Sequence, residues 1–294
     1  MSLLPSYSIV IATHERADAL RDALASVAAQ SHLPAKTVVI DASAGVASEA
    51  ACARAPLPVS YRRAEVASAA LQRNQGFRDV QTPLVAFMDD DVVLAPDVFK
   101  QLCHVFADDP KTAGVAARMN GATHAAPRGA LWWYYRLQAG FSHPTFGAKL
   151  FGAGVNCFPC YDNTQNELVP AEWLNLGCVV FRSDAFAREL FPNFAGYSFG
   201  EDVHLSARVA RHGPLYFHTA AHYDHFPSMS PSKRNAFQMA QMSARHRRLI
   251  AREILGLSGW RLALKDTLHR LFVSVFLLRT RPPQWTRQLA GTWS

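Results

Sequence analysis

The chain has 294 residues, of which 49% are hydrophobic and 11% aromatic, enough apolar material for one large domain or two modest ones. This composition excludes a disordered chain and predicts an ordinary globular protein. Five cysteines at irregular spacing form no disulfide framework, which favours a reducing compartment. The opening "MSLLPSYSIVIATHER" lacks the basic leader and cleavage site of a secretory signal, so we expect a cytoplasmic protein.

The net charge of +7 is unevenly distributed along the chain. Residues 232–294 contain twelve Lys and Arg against two acids, a net of +10, which leaves a net of −3 for residues 1–231. We therefore predict a main domain over 1–231 and a basic, mainly helical extension over 232–294. This asymmetry favours a polyanion or an anionic membrane as the partner of the extension, and no nucleic acid is expected.

The first part of the chain alternates between strand and helix patterns. β-branched apolar runs are each followed by apolar residues at helical spacing. This alternation predicts an α/β fold with a doubly wound, mostly parallel sheet, whose ligands bind at the carboxyl ends of the strands. Strands are predicted at 7–13, 36–43, 58–64 and 83–89, with helices up to residue 30 and over 45–55, 68–80 and 96–109.

The middle of the chain, from about Gly121 to Val169, is rich in Gly, Pro and aromatic residues and has no clean period. Its pattern therefore favours neither helix nor strand. Regular patterns return with a strand and a helix start over 174–186, a helix over 201–213, a strand over 214–223 and helices after Pro231.

Acidic residues follow two of the predicted strands directly. Asp41 ends the second strand, and Asp89, Asp90 and Asp91 end the fourth. Strand ends of one parallel sheet meet at the same edge, so these carboxylates are expected to converge. Clustered carboxylate oxygens suit a hard cation such as Mg²⁺ or Mn²⁺ that holds a diphosphate, although a solvated acidic turn is an alternative for the triple aspartate alone.

Six segments together resemble the family 2 glycosyltransferases, inverting enzymes with the GT-A fold. The resemblance runs from about Tyr7 to His225 and depends on the joint order and spacing of these segments. They are "SIVIATHER" at 8–16, "VVIDAS" at 38–43, "LQRNQG" at 71–76, "FMDDDVVLAPD" at 87–97, "LNLGCVVFRSDAF" at 174–186 and "FGEDVHLSARVARHG" at 199–213.

The resemblance implies a nucleotide site formed by strand ends and the loops after them. The implied residues are Ala12, Thr13, Glu15, Arg16, Asp41, Arg73, Asp89 and Asp90. Asp41 would accept the ring N–H of uracil or thymine, because a carboxylate only accepts, and Arg73 would reach the nucleotide or its phosphates. The family usually has a second acid and a glycine after this aspartate, where this chain has Ala42 and Ser43.

The D-x-D pattern of the family selects Asp89 and Asp91 within the triple aspartate. The resemblance implies that Asp89 lies towards the ribose and the metal and that Asp91 binds the metal, expected to be Mn²⁺ or Mg²⁺. A further ligand in such enzymes is often a downstream histidine. Of His218, His222 and His225, the last fits the family spacing best and His222 is the second choice.

The "GED" segment supplies two acids at the start of a predicted helix, where acids also occur for capping and dipole reasons alone. The resemblance makes Asp202 the general base and Glu201 a residue that holds the pocket or the acceptor. It also places Trp173 and Gly177 at the donor sugar and acceptor, with core packing as an alternative for Trp173. For the aromatic run "LWWYYRL" at 131–137, core packing, a sugar platform and membrane contact stay open.

The expected activity is a metal-dependent inverting glycosyl transfer from a nucleotide-diphosphate sugar, with UDP or dTDP favoured, to a hydroxyl of a glycan or lipid-linked acceptor. Assembly of bacterial surface polysaccharide is the expected setting. The alternatives are a nucleotidyl or sugar-phosphate transferase and a non-catalytic module that binds sugar nucleotides or glycans. The first does not account for "GED" with a downstream histidine, and the second would be favoured by a missing acid.

The basic extension contains an amphipathic helix pattern over 260–278. Its apolar stripe comprises Leu264, Leu268, Leu271, Val275 and Leu278. The longest apolar run, "LFVSVFLL", is far below the ~20 residues that span a bilayer, so we expect a helix that lies on a membrane. The alternative is a helix that packs its leucine stripe on the catalytic domain.

Overall fold

A computed structural model describes residues 4–141, 146–161, 167–194, 200–227 and 235–294. The chain folds as two compact units. The first comprises Met1–Ala122 and Asn163–Ser228, and the second comprises Thr123–Asp162 and Met229–Ser294. The elements of the first unit are β1 (Tyr7–Thr13), α1 (Ala17–Ala28), β2 (Lys36–Asp41), α2 (Ala47–Ala53), β3 (Val59–Arg63), α3 (Ala69–Phe77), β4 (Leu84–Asp89), β5 (Val92–Leu94), α4 (Val98–Asp108) and β6 (Gly114–Met119).

The remaining elements follow in chain order. The second unit contributes α5 (Ala130–Ala139), β7 (Leu150–Phe151) and β8 (Val155–Asn156), after which the first unit resumes. It continues with β9 (Leu168–Ala171), β10 (Cys178–Arg182), α6 (Ser183–Glu189), α7 (Glu201–Val209) and β11 (Leu215–His225). The second unit ends with α8 (Ala236–Glu253), α9 (Gly259–Thr280) and α10 (Trp285–Trp293).

The described strands of the first unit form one nine-stranded sheet in the order β3-β2-β1-β4-β10-β6-β11-β5, with β9 paired to β11. The strands β3, β2, β1 and β4 are parallel to one another, whereas β10 runs antiparallel to both β4 and β6. The predicted α/β fold, a largely parallel sheet with flanking helices, is confirmed. The direction of β10 was not predicted, because an apolar run carries no signal of strand direction.

The parallel strands lie between helices and are therefore apolar on both faces. Ile9, Val10 and Ile11 in β1 are fully buried, and Leu20 and Leu24 of α1 are fully buried as well. This packing accounts for the near-continuous apolar runs in the strand sequences. It also leaves the strand ends as the positions where polar side chains emerge.

The second unit joins the aperiodic middle segment to the basic extension. Tyr134 of α5 stacks on Phe272 of α9 with ring centroids 3.9 Å apart, and its hydroxyl lies 2.6 Å from His269 Nδ1. The sequence division at residue 231 left the stretch 123–162 with the main domain, whereas in the fold this stretch packs with the extension. Contacts between segments that are distant in the chain leave no local pattern to read.

Membrane-spanning helices, judged by length and mean hydropathy, are absent from the described residues.

Candidate active site

Three parallel strands bring polar side chains to one edge of the sheet. β1, β2 and β4 end at Thr13, Asp41 and Asp89. The register pairs Thr13 with Asp41 and Ala12 with Asp89, so the three strand ends are level. The carboxyl edge of the sheet therefore carries the acids at the place where the sequence predicted them.

Arg16 forms ion pairs with two members of the triple aspartate. One guanidinium nitrogen of Arg16 donates to Asp90 Oδ1 and to Asp91 Oδ2, each at 2.9 Å, and the Thr13 hydroxyl donates to Asp90 Oδ2 at 2.7 Å. Burial raises the pKa of Asp90 to about 6, with a further rise from Asp91 and Asp89, although Thr13 and Arg16 oppose it. Asp90 thus joins the loop after β1 to the end of β4.

Arg73 on α3 is a buried bridge between two acids. Its guanidinium group donates to Asp89 Oδ1 at 2.7 Å and to Glu201 Oε1 at 2.5 Å. Burial lowers the pKa of Arg73, but the charges of Glu201 and Asp89 raise it by more. The pKa is therefore higher than usual, and the side chain stays charged. Gly76, one turn further along α3, permits this placement because a Cβ there would lie 2.5 Å from a methyl group of Val10.

Replacing Arg73 by methionine is expected to destabilise the fold by about 3–5 kcal/mol, because it removes the cation from the ion pair with the buried Glu201. The Glu201 side chain is 8% exposed, so water cannot replace the lost donor. The matched control is Arg78→Met at the end of the same helix. The Arg78 pair with Glu65 is two-thirds exposed, and its loss is expected to cost less than about 1 kcal/mol. Urea unfolding measures both values, and equal midpoints for the two variants would contradict the buried bridge.

The pairing of β11 with β5 places a histidine beside the triple aspartate. β11 pairs antiparallel with β5 so that His225 lies opposite Val92, and His225 Nε2 is 3.2 Å from Asp91 Oδ1. His218 is instead buried with its Nε2 3.2 Å from Glu167, and His222 Nδ1 faces the carbonyl of Ala220 at 2.8 Å. The structure thus brings His225, the predicted histidine, to Asp91.

The donor set at this edge is compatible with a divalent cation. Adjacent ligands of an octahedral ion with bonds of about 2.1 Å are about 3 Å apart, close to the 3.2 Å between His225 Nε2 and Asp91 Oδ1. Among the described residues, three or more acid, histidine or cysteine side chains do not cluster closely enough to hold a metal on their own. Asp89, the third predicted ligand, is paired with Arg73. Asp91 and His225 are thus the two predicted ligands that lie close enough together to share a cation.

The "GED" segment forms the first turn of α7. Gly200 precedes the helix with a φ of 78°, a conformation that favours glycine. Asp202 Oδ1 accepts the amide of Val203 at 2.8 Å, which orients the carboxyl group. Burial raises the pKa of Asp202 to about 7; Glu201 and Asp89 add to the rise, whereas the Val203 amide and Arg73 oppose it. A carboxyl group with this pKa exchanges its proton readily near neutral pH.

Asp41 is fully buried, and its carboxylate already accepts several protein donors. Oδ1 accepts the amide and the hydroxyl of Ser43 at 2.8 and 2.5 Å, and Oδ2 accepts Tyr61 at 2.8 Å and Arg63 at 3.4 Å. The predicted bond from a base N–H therefore requires one donor to move. Arg63 makes the longest of these contacts and is the donor that is easiest to displace.

Glu15 fastens the loop after β1 to the loop after β2. Its carboxylate accepts the amide of Ala44 at 2.6 Å, and its own amide donates to Ser43 Oγ at 2.7 Å. The residue has a φ of 55°, which is uncommon for a side chain other than glycine. Glu15, one of the residues predicted to line the nucleotide, thus holds the loop after β1 against the loop after β2.

Comparison with known proteins identifies the family. The sequence model described as "Glycosyl transferase family 2" matches residues 8–159, just over half of the chain. This chain belongs to glycosyltransferase family 2. It is therefore a glycosyltransferase, which removes both alternatives considered from the sequence. None of the curated proteins matches the chain.

Solved structures are similar to this family 2 glycosyltransferase at low sequence identity. A mannosyltransferase from Pyrobaculum calidifontis, PcManGT in complex with GDP-Man and Mn²⁺, is 14% identical with a TM-score of 0.58, over 99% of this chain and 87% of that one. GalNAc-T7 with UDP, GalNAc and Mn²⁺ is 14% identical with a TM-score of 0.61, over 96% of this chain and 59% of that one. Residues 1–349 of S. aureus TarS are 15% identical with a TM-score of 0.54, over 94% and 73% of the two chains. These likenesses show the expected GT-A fold.

Of the residues predicted at the sugar or acceptor of this glycosyltransferase, Trp173 and Gly177 differ in how they are placed. Trp173 is 1% exposed and packs edge-on against Phe217 at 5.8 Å between centroids, which favours its core alternative. Gly177 lies beside Tyr223, whose hydroxyl would overlap a Cβ at this position. Its carbonyl accepts the amide of Asp89 at 3.2 Å, so the small residue keeps its backbone against the end of β4.

Sequence reasoning missed several residues that hold the site of this glycosyltransferase together. Gln72 is buried, and its amide donates to the carbonyls of Thr13 and Ile40 at 2.9 and 2.8 Å. It precedes Arg73 in the segment that carries the resemblance, which was a usable signal. Tyr223 binds the side-chain amide of Asn175 and left no such signal, because their contact joins positions 48 residues apart.

Proposed function

We propose that this family 2 glycosyltransferase is metal-dependent and inverting, and that it transfers a sugar from a UDP- or dTDP-activated donor to a hydroxyl of a glycan or lipid-linked acceptor. The observation that carries the proposal is the bridge made by Arg73. It ties Glu201, next to the candidate base Asp202, to Asp89, two residues before the candidate metal ligand Asp91. One buried side chain thus connects the segment of the candidate base to the segment of the candidate metal ligand.

The residues at the sheet edge suit the donor. Asp91 and His225 would hold Mn²⁺ or Mg²⁺, with Asp89 on the side of the ribose. The presence of Mn²⁺ in two similar solved structures supports this cofactor. The cation supplies Lewis-acid stabilisation of the departing diphosphate. Asp41 would read the base, with Ala12, Thr13, Glu15 and Arg16 around it. Arg73 and Asp90 would hold the residues of this edge in position through their contacts with Asp89, Thr13 and Arg16.

Asp202 is the group proposed to act on the acceptor hydroxyl. As the acceptor oxygen forms its bond to the anomeric carbon and the bond from that carbon to the diphosphate breaks, the carboxylate of Asp202 takes the hydroxyl proton. Attack from the face opposite the departing diphosphate inverts the configuration. Glu201, held by Arg73, would position the acceptor beside Gly177. Bacterial surface polysaccharide assembly, in the cytoplasm or at the inner face of the membrane, is the setting that we propose for this reaction.

Thermal unfolding with UDP, dTDP, GDP and CDP, each with and without Mn²⁺, tests the proposal. We expect UDP or dTDP to raise the Tm when Mn²⁺ is present and to have little effect in EDTA, because the diphosphate completes the cation site. A ligand at 100 times its Kd adds about 2.7 kcal/mol of stability, which is readily measured. A nucleotide that stabilises the protein equally in EDTA would contradict metal-dependent donor binding.

A further inference from the structure

Helix α9 of the second unit buries several polar side chains, together with Leu262 and Leu277, and exposes a stripe of apolar side chains. Asp266, His269 and Arg270 are each 8% exposed. On the opposite side of the helix, Leu271 and Val275 are 50% and 54% exposed. A helix on the surface of a water-soluble protein normally has the reverse arrangement. Four of the five residues of the predicted leucine stripe, Leu264, Leu271, Val275 and Leu278, are thus exposed.

The inward polar side chains have specific partners, so the orientation of α9 is well determined. Asp266 Oδ2 accepts Arg270 Nε at 2.9 Å and lies 3.9 Å from Arg248 Nε. His269 meets the Tyr134 hydroxyl at 2.6 Å. Rotating the helix to bury its leucines would break these contacts and expose the stack of Tyr134 on Phe272. The apolar stripe thus faces outward as a consequence of the packing within the second unit.

Helix α5 adds exposed aromatic and aliphatic side chains next to α9. The side-chain amide of Gln138 donates to the carbonyl of Lys265 at 2.9 Å, which holds the two helices side by side. Trp133 and Leu137 lie one turn apart on α5 and are 56% and 45% exposed, and Phe141, just after the end of the helix, is 63% exposed. We call the exposed apolar side chains of the two helices the apolar face. It comprises Trp133, Leu137 and Phe141 with Trp260, Leu264, Leu271, Val275 and Leu278.

Basic residues flank the apolar face. Arg261 and Arg279 are exposed and lie about five turns apart on the same side of α9, beside its stripe. Trp260, at the start of the helix, is 72% exposed, and tryptophan is favoured where a membrane meets water. A second copy of the chain would bring two extensions of net charge +10 together, which like-charge repulsion disfavours.

We propose that the apolar face is a docking surface for an anionic lipid bilayer, with α9 lying along the membrane surface. The apolar side chains enter the boundary between headgroups and acyl chains, and the basic flank contacts anionic headgroups. The binding needs neither sugar donor nor acceptor, so its outcome is independent of the proposed reaction.

Sedimentation of the full chain with vesicles tests the proposal. We expect salt-sensitive binding to phosphatidylcholine vesicles that contain phosphatidylglycerol and little binding to phosphatidylcholine alone. The double variant Leu271→Asp, Val275→Asp should lower the partition to anionic vesicles by about tenfold or more. The matched control is Leu33→Asp in the first unit, where the native side chain is 55% exposed, and this variant should bind like the parent.

Tryptophan fluorescence gives a second measurement that does not depend on the folding of the double variant. Brominated anionic lipids should quench part of the emission of the parent, and Trp260→Phe should remove much of that quenching. A parent that stays in the supernatant with anionic vesicles at low salt would overturn the proposal. So would a folded double variant that binds like the parent, or a parent dimer in light scattering that the double variant dissociates.

Discussion

Replacing Asp202 by asparagine is expected to lower kcat by roughly a hundredfold or more, the usual scale for the loss of a general base. Asparagine keeps the size of the side chain and can still accept the Val203 amide, so α7 should start in the same way. The Tm increase caused by nucleotide and Mn²⁺ should stay nearly unchanged, because Asp202 does not belong to the predicted donor contacts. Steady-state kinetics with saturating donor and acceptor measure the effect.

The matched control is Asp184→Asn at the start of α6. Asp184 also accepts the amide of the next residue, at 2.8 Å, but it is exposed. This variant should keep the kcat of the parent. If Asp202→Asn instead abolished donor binding and left turnover at saturation unchanged, Asp202 would be a donor ligand and Glu201 the better candidate for the base.

The pH dependence of the reaction follows from the same residue. Burial, with the charges of Glu201 and Asp89, raises the pKa of Asp202 to about 7 in the folded enzyme. Only the deprotonated carboxylate accepts a proton, so kcat of the parent should rise with pH through about 7 and level off above it. The asparagine variant should lose this rise, and a retained rise would assign it to another group.

Replacing Asp91 by asparagine is expected to lower kcat/KM by at least about a hundredfold, because the Lewis-acid contribution of a cation is worth several kcal/mol and each factor of ten in rate is worth about 1.4 kcal/mol. The variant loses charge beside His225 and Arg16, whereas Asp90 still holds Arg16. The Mn²⁺-dependent part of the Tm increase with UDP should disappear. Calorimetric titration of Mn²⁺ in the presence of UDP measures the loss directly.

Asp224→Asn is the control for this change. Asp224 precedes His225 on β11, is exposed, and accepts the side chain of Asn120 at 2.9 Å. The Asp224→Asn substitution also removes one negative charge close to the site, but it leaves Asp91 in place. This variant should retain Mn²⁺-dependent nucleotide binding. Equal activity of Asp91→Asn and the parent at limiting Mn²⁺ would show that Asp91 is not a ligand.

Much of the fold and part of the candidate site were predictable from local patterns. The runs that became β1, β2 and β4 are apolar and short, and each is followed by helical spacing, so their alternation implied parallel strands. The acids at the ends of β2 and β4 were predictable for the same reason. His225 was preferred over His218 and His222 only through the resemblance, and it was the pairing of β11 with β5 that brought it to Asp91.

The sequence by itself determined which residues share a strand end or a helix side, because these relations depend on the chain's own repeat distances. Tertiary structure alone decided what each side faces. Arg16 and Arg73 became the partners of acids that lie more than fifteen residues away in the sequence, and Trp173 packed against Phe217 of β11. The leucine stripe of α9 was visible in the sequence, but its outward direction depends on the partners of Asp266 and His269 in other helices. Periodicity defines a face of a helix, whereas only packing determines whether that face meets protein or solvent.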